Sequence, residues 1–246
     1  AVNTFNETPN TENLELARSE WDHTYRAWIM VSMLNFGPGG TDGRRRTIGE
    51  EVATWPVGES ALEKKISEGN FDLNDARRNT RGLLAVEYLL FTPFPAEDLV
   101  QSHTENRGKY LQQTVDRLVT QLSSFNGEWH EEYAAEFKAS TGTDVKSSTT
   151  QMFNEMIRSF EGVRDTKLGI PMGLIAGQTT PQPEQVENPY SKNSLDYLLL
   201  HYQNIIKLWN GASSSVEEGP SWQTYLGSIE GGQTLVENIE KQTAKI

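Results

Sequence analysis

Thr80-Arg81-Gly82-Leu83-Leu84-Ala85-Val86-Glu87-Tyr88-Leu89-Leu90-Phe91 is the stretch on which the reading of this chain turns. At helical spacing Leu84, Tyr88 and Phe91 form an apolar stripe, and Glu87 falls inside it. Burying an unpaired carboxylate costs several kcal/mol, so such a group must find a cation, a hydrogen-bond donor or a proton. Three readings follow, ranked in this order. Glu87 lies at the edge of the stripe and reaches water, it joins a structural ion pair, or it belongs to a site that binds something.

Outward from this helix, Asp72 or Asn74 is expected to cap it and Thr92-Pro93-Phe94-Pro95 to end it. Upstream, Leu14 to Phe36 reads as a helix, with Leu14, Ala17, Trp21, Tyr25, Trp28 and Ile29 recurring at three- and four-residue steps and Asn10 or Thr11 as cap. Phe36-Gly37-Pro38-Gly39-Gly40 stops it, because Gly permits left-handed geometry and Pro cannot continue a helix. A loop with Asp42-Gly43 and Arg44-Arg45-Arg46 follows, then short helices at Thr47 to Val52 and Ser60 to Glu68.

Downstream, Ser102 to Phe125 is the clearest amphipathic helix, with Tyr110, Leu111, Val115, Leu118 and Leu122 in its stripe. Asn126-Gly127 reads as a turn, Trp129 to Ser140 as helix and Thr141 to Asp144 as a link. A helix carrying Met152, Met156, Ile157, Phe160 and Val163 ends at Gly169-Ile170-Pro171. The irregular segment from Thr179 to Tyr190 leads into a helix from Ser191 to Trp209, capped by Ser191 or Asn193, whose apolar side includes Leu195, Leu198, Tyr202 and Ile205. A short helix starts at Trp222, and the last one, near Leu235, meets no stop signal before Ile246, so the natural chain is expected to continue. No alternating β-branched run competes. The fold class is therefore all-α, as two helical-bundle halves, 1–140 with the Gly82–Glu87 motif and 141–246 as a second, truncated bundle. Similar helix–stop–helix patterns at Phe36-Gly37-Pro38 and Leu168-Gly169-Ile170-Pro171 suggest the two halves echo one another.

The 246 residues carry 36% hydrophobic residues and a net charge of -12, with a mean hydropathy of -0.59. No apolar run approaches the roughly 20 residues that span a bilayer. The negative charge argues against nucleic acid as a partner. There is no cysteine, which removes disulfides, thiolate metal sites and cysteine nucleophiles together. The chain opens on Ala1-Val2-Asn3 without a leader pattern, so a processed start is expected, with an export signal already removed.

His23, His103, His130 and His201 are scattered, and His130-Glu131-Glu132 lacks the second histidine of a zinc-protease motif. No nucleophile elbow or phosphate loop is present. Arg158, Arg164, Asp165 and Lys167 crowd the end of one long helix. They form either a solvated cationic helix end, favoured by the helix dipole, or a reach by Arg164 or Lys167 across the seam to Glu87. Glu187 and Ser191 carry the same ambiguity: capping accounts for Ser191 and leaves Glu187 unexplained.

Gly82-Leu83-Leu84-Ala85-Val86-Glu87 resembles the Gly-x-His-x-x-Glu signature of the imelysin-like family, the insulin-cleaving or iron-regulated-protein-A family. Phe36-Gly37-Pro38, Trp55-Pro56, Lys167-Leu168-Gly169-Ile170-Pro171 and Glu187-Asn188-Pro189-Tyr190-Ser191 stand in the family's order, so the resemblance spans about residues 14 to 210. It implies two four-helix-bundle-like halves with a functional cleft between them, in proteins exported to the periplasm or outer-membrane surface, often as lipoproteins, here with a lipid anchor upstream of Ala1. It also implies a link to iron uptake, a metallopeptidase label, and metal held by the His and Glu of the signature. This chain has Leu84 where that histidine stands, and no carboxylate in Trp28 to Asn35 before the Phe-Gly-Pro turn. Glu87 is then the one obvious metal ligand in this half, and one carboxylate holds a transition metal poorly.

The reading that follows is an exported protein of iron or metal acquisition that binds a small ligand, a metal or another envelope protein in the cleft, without catalysis. Glu87 and Leu84, Arg164 and Lys167, and Glu187 and Ser191 would form the walls. No cofactor is assigned beyond a divalent metal or iron at Glu87. The alternatives are a metal-dependent peptidase and a degenerate cell-surface interaction module.

Overall fold

The computed structural model describes residues 1–40, 48–75, 77–212 and 218–245, and every regular element among them is helical. The expected loop with Asp42-Gly43 and Arg44-Arg45-Arg46 lies outside the described residues. The chain opens on a short helix that periodicity did not show, α1 (Val2–Glu7), which buries one side chain, Phe5. The long helix α2 (Thr11–Ser32) starts where Asn10 Oδ1 accepts the Asn13 N–H at 2.8 Å. Leu14, Ala17, Trp21, Tyr25 and Ile29 form its buried stripe.

Two short helices, α3 (Ile48–Ala53) and α4 (Glu59–Glu68), lead to the central helix α5 (Leu83–Phe91). Contrary to expectation, α5 does not begin at Asp72 or Asn74. Asn70, Asp72 and Asp75 each accept, through the side chain, the backbone N–H two residues on, at 3.0, 2.9 and 3.1 Å. Such local bonds offer the backbone an alternative to helix. After a 3-10 turn at Arg78–Thr80, α-helix begins only past Gly82, whose φ of +87° suits glycine and whose missing Cβ leaves room for the Val52 carbonyl. The expected stripe is also a correction: Leu83 through Leu90 are all buried, so α5 is a core rod and not an amphipathic helix. Arg81, 3% exposed, anchors its entry by donating two bonds to Glu51 at 3.0 and 2.9 Å. Burial would raise the Glu51 carboxyl, but Arg81 and Arg117 hold it below the usual carboxylate range.

After α6 (Ala96–Ser102), α7 (Glu105–Glu128) runs on through Asn126-Gly127 instead of turning there. A π-helical turn, Trp129–Tyr133, joins it directly to α8 (Ala134–Ala139). Phe125, Trp129, Tyr133 and Phe137 meet edge-on or tilted at four-residue steps, and Phe36 stacks on Phe137 at 5.2 Å. This aromatic row outweighs the local turn signal of Asn-Gly.

The second half contains α9 (Ser148–Glu161), a π-helical turn at Gly162–Leu168, α10 (Ser194–Trp209), α11 (Trp222–Gly227) and α12 (Gly232–Thr243). A large apolar cluster gathers α1, α2, α5 and α7. A smaller one gathers Met33, Met156, Val163, Ile205, Trp209 and Val236, so the end of α2 serves both. The buried residues of α10 are Tyr197, His201, Tyr202, Ile205 and Trp209, which include the expected Tyr202 and Ile205, whereas Leu195, expected inside, is 65% exposed. Tyr197 packs edge-on against Tyr25 at 4.8 Å, and its hydroxyl donates to Asp22 Oδ1 at 2.6 Å. Tyr197→Phe removes this tie between α10 and α2 and is expected to cost about 1–2 kcal/mol, because the acceptor is a charged carboxylate. Urea unfolding checks it, through a lower midpoint at unchanged slope.

Candidate functional site

Glu87 is 0% exposed. Among the described residues no Lys or Arg pairs with it; instead the Ser191 N–H donates to Oε1 at 2.9 Å and Asn188 Nδ2 lies 3.4 Å from Oε2. Burial pushes the Glu87 carboxyl up to about 7, Ser191 and Asn188 oppose the rise, and the nearby charge of Glu187 adds to it. Of the three readings of Glu87, water contact and ion pairing both fail. Arg164 is turned to solvent and holds Asp165 at 2.6 and 2.7 Å. Lys167 crosses the seam but meets Glu187, at 2.5 Å. Ser191 does not cap α10; its backbone serves Glu87, and Asn193 takes the cap position without a side-chain bond.

The segment 186–194 is a strap laid over the end of the first half. Trp55 Nε1 donates to the Val186 carbonyl at 3.1 Å, Tyr190 donates to Glu59 at 2.6 Å, and Tyr190 lies edge-on to Tyr88 at 5.1 Å. Asn188 and Lys192, both at φ +62°, are the non-glycine residues in left-handed backbone among the described residues. Strain of this kind persists only where its surroundings over-determine it, and it gathers at functional sites. Here it brackets the N–H that holds Glu87. Asn188 is itself fully buried, and its Oδ1 and the Ser191 hydroxyl have no aligned hydrogen-bond partner among the described residues. Burial, with the charges of Glu187 and Glu87, raises the Tyr25 hydroxyl well above its ordinary value and keeps it a neutral donor.

Beside the strap a cleft of about 380 Å³ opens between α2, α3, the α9 end and α10. Tyr25, Trp28 and Trp55 form its aromatic side, and Ser159, Lys167 and Glu187 border it as well. His201 reaches it from α10, with Nε2 2.7 Å from the Ser159 Oγ. Burial and the charge of Lys167 depress the His201 imidazole to about 3, so it is neutral at physiological pH. Of the six residues expected as cleft walls, Lys167 and Glu187 line this cleft, whereas Glu87, Leu84, Arg164 and Ser191 do not; Tyr25, Trp28, Trp55, Ser159 and His201 were not expected there. The clue to Trp55 was its place in Trp55-Pro56. For Ser159 and His201, 42 residues apart, no local signal exists.

Leu84 is 1% exposed inside the apolar core. Among the described residues no group of three His, Asp or Glu stands close enough to hold a metal ion. With a leucine at the signature position and the Glu87 oxygens directed at Ser191 and Asn188, the donor set does not fit a resident transition metal.

The profile of the imelysin family, labelled a peptidase family, matches residues 1–246. A curated relative, "Iron-regulated protein A" of Synechococcus elongatus, is 22% identical over 219 residues, covering 87% of this chain and 57% of the relative. The chain thus spans little more than half the length of that relative. The crystal structure of a protein described as an iron-regulated protein A precursor from Parabacteroides distasonis superposes with a TM-score of 0.75 at 18% identity, covering 98% of this chain and 75% of the other.

Proposed function

Since the chain belongs to the imelysin family, we propose that it is an exported, iron-linked member that holds a small ligand in the cleft between its two halves and performs no chemistry there. The names of its relatives support the link to iron, and the word precursor on one of them fits export. The observation that carries ligand binding is the cleft itself. It has a preformed aromatic side, a half-buried ion pair within it, and a strained strap behind it. A peptidase of this family calls for a metal that the residues at Glu87 and Leu84 do not suit.

Two measurements test the proposal. Calorimetric titration of the metal-stripped protein with ferrous, ferric, zinc and cupric ions, beside Glu87→Ala, is expected to give no micromolar binding in either protein. Micromolar binding that disappears in Glu87→Ala would overturn the metal-free reading of the site. For the cleft, two probes of matched size and opposite charge, hexylammonium and hexanoate, are titrated against the protein and against Ser159→Trp, whose indole fills the cleft. Binding of at least one probe, lost in Ser159→Trp, is the expected result; no binding of either overturns the proposal.

A further inference from the structure

We infer that the ligand of this cleft is a small organic cation, one bearing an ammonium group, and that Lys167 occupies its place when the cleft is empty. The inference rests on the cleft being a ligand site, as proposed above, and adds the chemistry of what it takes.

Three observations favour positive charge. First, among the described residues the lining carries three carboxylates, Glu50, Glu155 and Glu187, beside Arg158 and Lys167, in a chain of net charge -12. The net negative charge of the chain concentrates cations at its surface and repels anions. Second, Tyr25, Trp28 and Trp55 border the same space, and aromatic faces attract ammonium groups, tryptophan most strongly. The Trp55 indole is held in place by its bond to the Val186 carbonyl.

Third, the cleft already contains an ammonium. Lys167 and Glu187 meet at 2.5 Å with side chains only 18% and 16% exposed. Glu50, its side chain 57% exposed, is engaged by Arg78, and Glu155, its side chain only 11% exposed, is engaged by Arg158, whose own side chain is 66% exposed. Glu187 is the half-buried carboxylate whose partner is a lysine and not an arginine fork, and so the one a ligand would address. Lys167 comes to it from the π-helical turn Gly162–Leu168. Such turns insert an extra residue into a helix and recur at functional sites. A lysine on four flexible methylenes can leave the carboxylate when an external ammonium replaces it, whereas Glu187 is anchored in the strap between Val186 and Asn188. The charge of the inner pair is then conserved on binding, and the aromatic contact is the gain.

This makes opposite predictions for the two members of one ion pair. Hexylammonium is titrated calorimetrically into the wild type, Glu187→Gln and Lys167→Met, with hexanoate as the matched anion. The expected result is that hexylammonium binds, at least tenfold more weakly in Glu187→Gln and at least threefold more tightly in Lys167→Met, where its internal competitor is gone. If hexanoate binds instead, and Lys167→Met abolishes it, the cation assignment is overturned while the cleft remains a ligand site. If neither probe binds any of the three proteins, both readings fall. Far-ultraviolet circular dichroism confirms that each variant is folded, and either variant alone decides the sign.

Discussion

Glu87→Gln is expected to stabilise the protein at pH 8 by on the order of 3 kcal/mol and to leave it nearly unchanged at pH 4. The carboxyl is raised from its ordinary 4.5 to about 7. At low pH it is protonated in both folded and unfolded chains and contributes no difference. As the pH rises past 4.5 the unfolded chain releases the proton while the folded chain keeps it, so stability falls up to about pH 7 and then stays level. At about 1.4 kcal/mol per pH unit, that span gives the figure above. Glutamine never carries the charge. Its Oε1 accepts the Ser191 N–H, and its amide can donate to Asn188 Oδ1, which has no partner among the described residues, once the Asn188 amide turns over. Glu51, Asp22 and Asp75 are held below the carboxylate range and act with opposite sign. The quantity to measure is therefore the difference between variant and wild type, which leaves those terms out. Scanning calorimetry from pH 4 to 8 should show the variant's advantage growing between pH 4.5 and 7, to about 6–12 °C in Tm. A variant less stable than wild type at pH 8 would mean that ionised Glu87 has a compensating partner, and the hydrogen-bonding account of the site would fail.

The same carboxyl shows how far the sequence could be read. That Glu87 sat in an apolar helix was visible, because leucines and a tyrosine surround it within one turn on either side. What held it was not, because its donors come from residues 188 and 191, about a hundred positions away. The all-α class was legible for a simpler reason: long helices such as α2 and α7 carry one buried stripe each, and a stripe is a periodic signal. Helix α5 carries none, being buried all round, so its start was misplaced until the turns at Asn70, Asp72 and Asp75 fixed where helix is forbidden. The join at Asn126-Gly127 failed in the other direction, since edge-on and tilted ring contacts four residues apart overrode a turn dipeptide. Lys167 was legible as a seam-crossing cation but its partner was not, because choosing between Glu87 and Glu187 requires the backbone path of the strap.

Gly82→Ala is expected to cost about 3–4 kcal/mol, because two penalties coincide at one residue. The first is conformational: φ of +87° is open to glycine, and an L side chain there costs about 1–2 kcal/mol. The second is a collision, since a Cβ at Gly82 would lie 2.6 Å from the Val52 carbonyl oxygen and 3.0 Å from that of Glu51. Both are backbone atoms of α3 and cannot rotate away, so the entry of α5 must move. Gly69→Ala separates the two terms. Its φ is +63°, but its nearest neighbour is the Asn106 amide at 3.7 Å, so only the conformational cost of about 1 kcal/mol applies. Chemical denaturation of both variants should therefore give unequal losses, with the excess in Gly82→Ala measuring the contact between α3 and α5. That contact has a consequence one helical turn further on. Moving the start of α5 displaces Glu87 from the Ser191 N–H, lets water reach the carboxylate and brings its titration back towards 4.5. The Gly82→Ala protein should accordingly lose much of the benefit that Glu87→Gln brings at pH 8, and the two substitutions should be non-additive. Full additivity would show that the glycine and the carboxylate are independent features of the helix, and that close packing of α5 on α3 does not position the site.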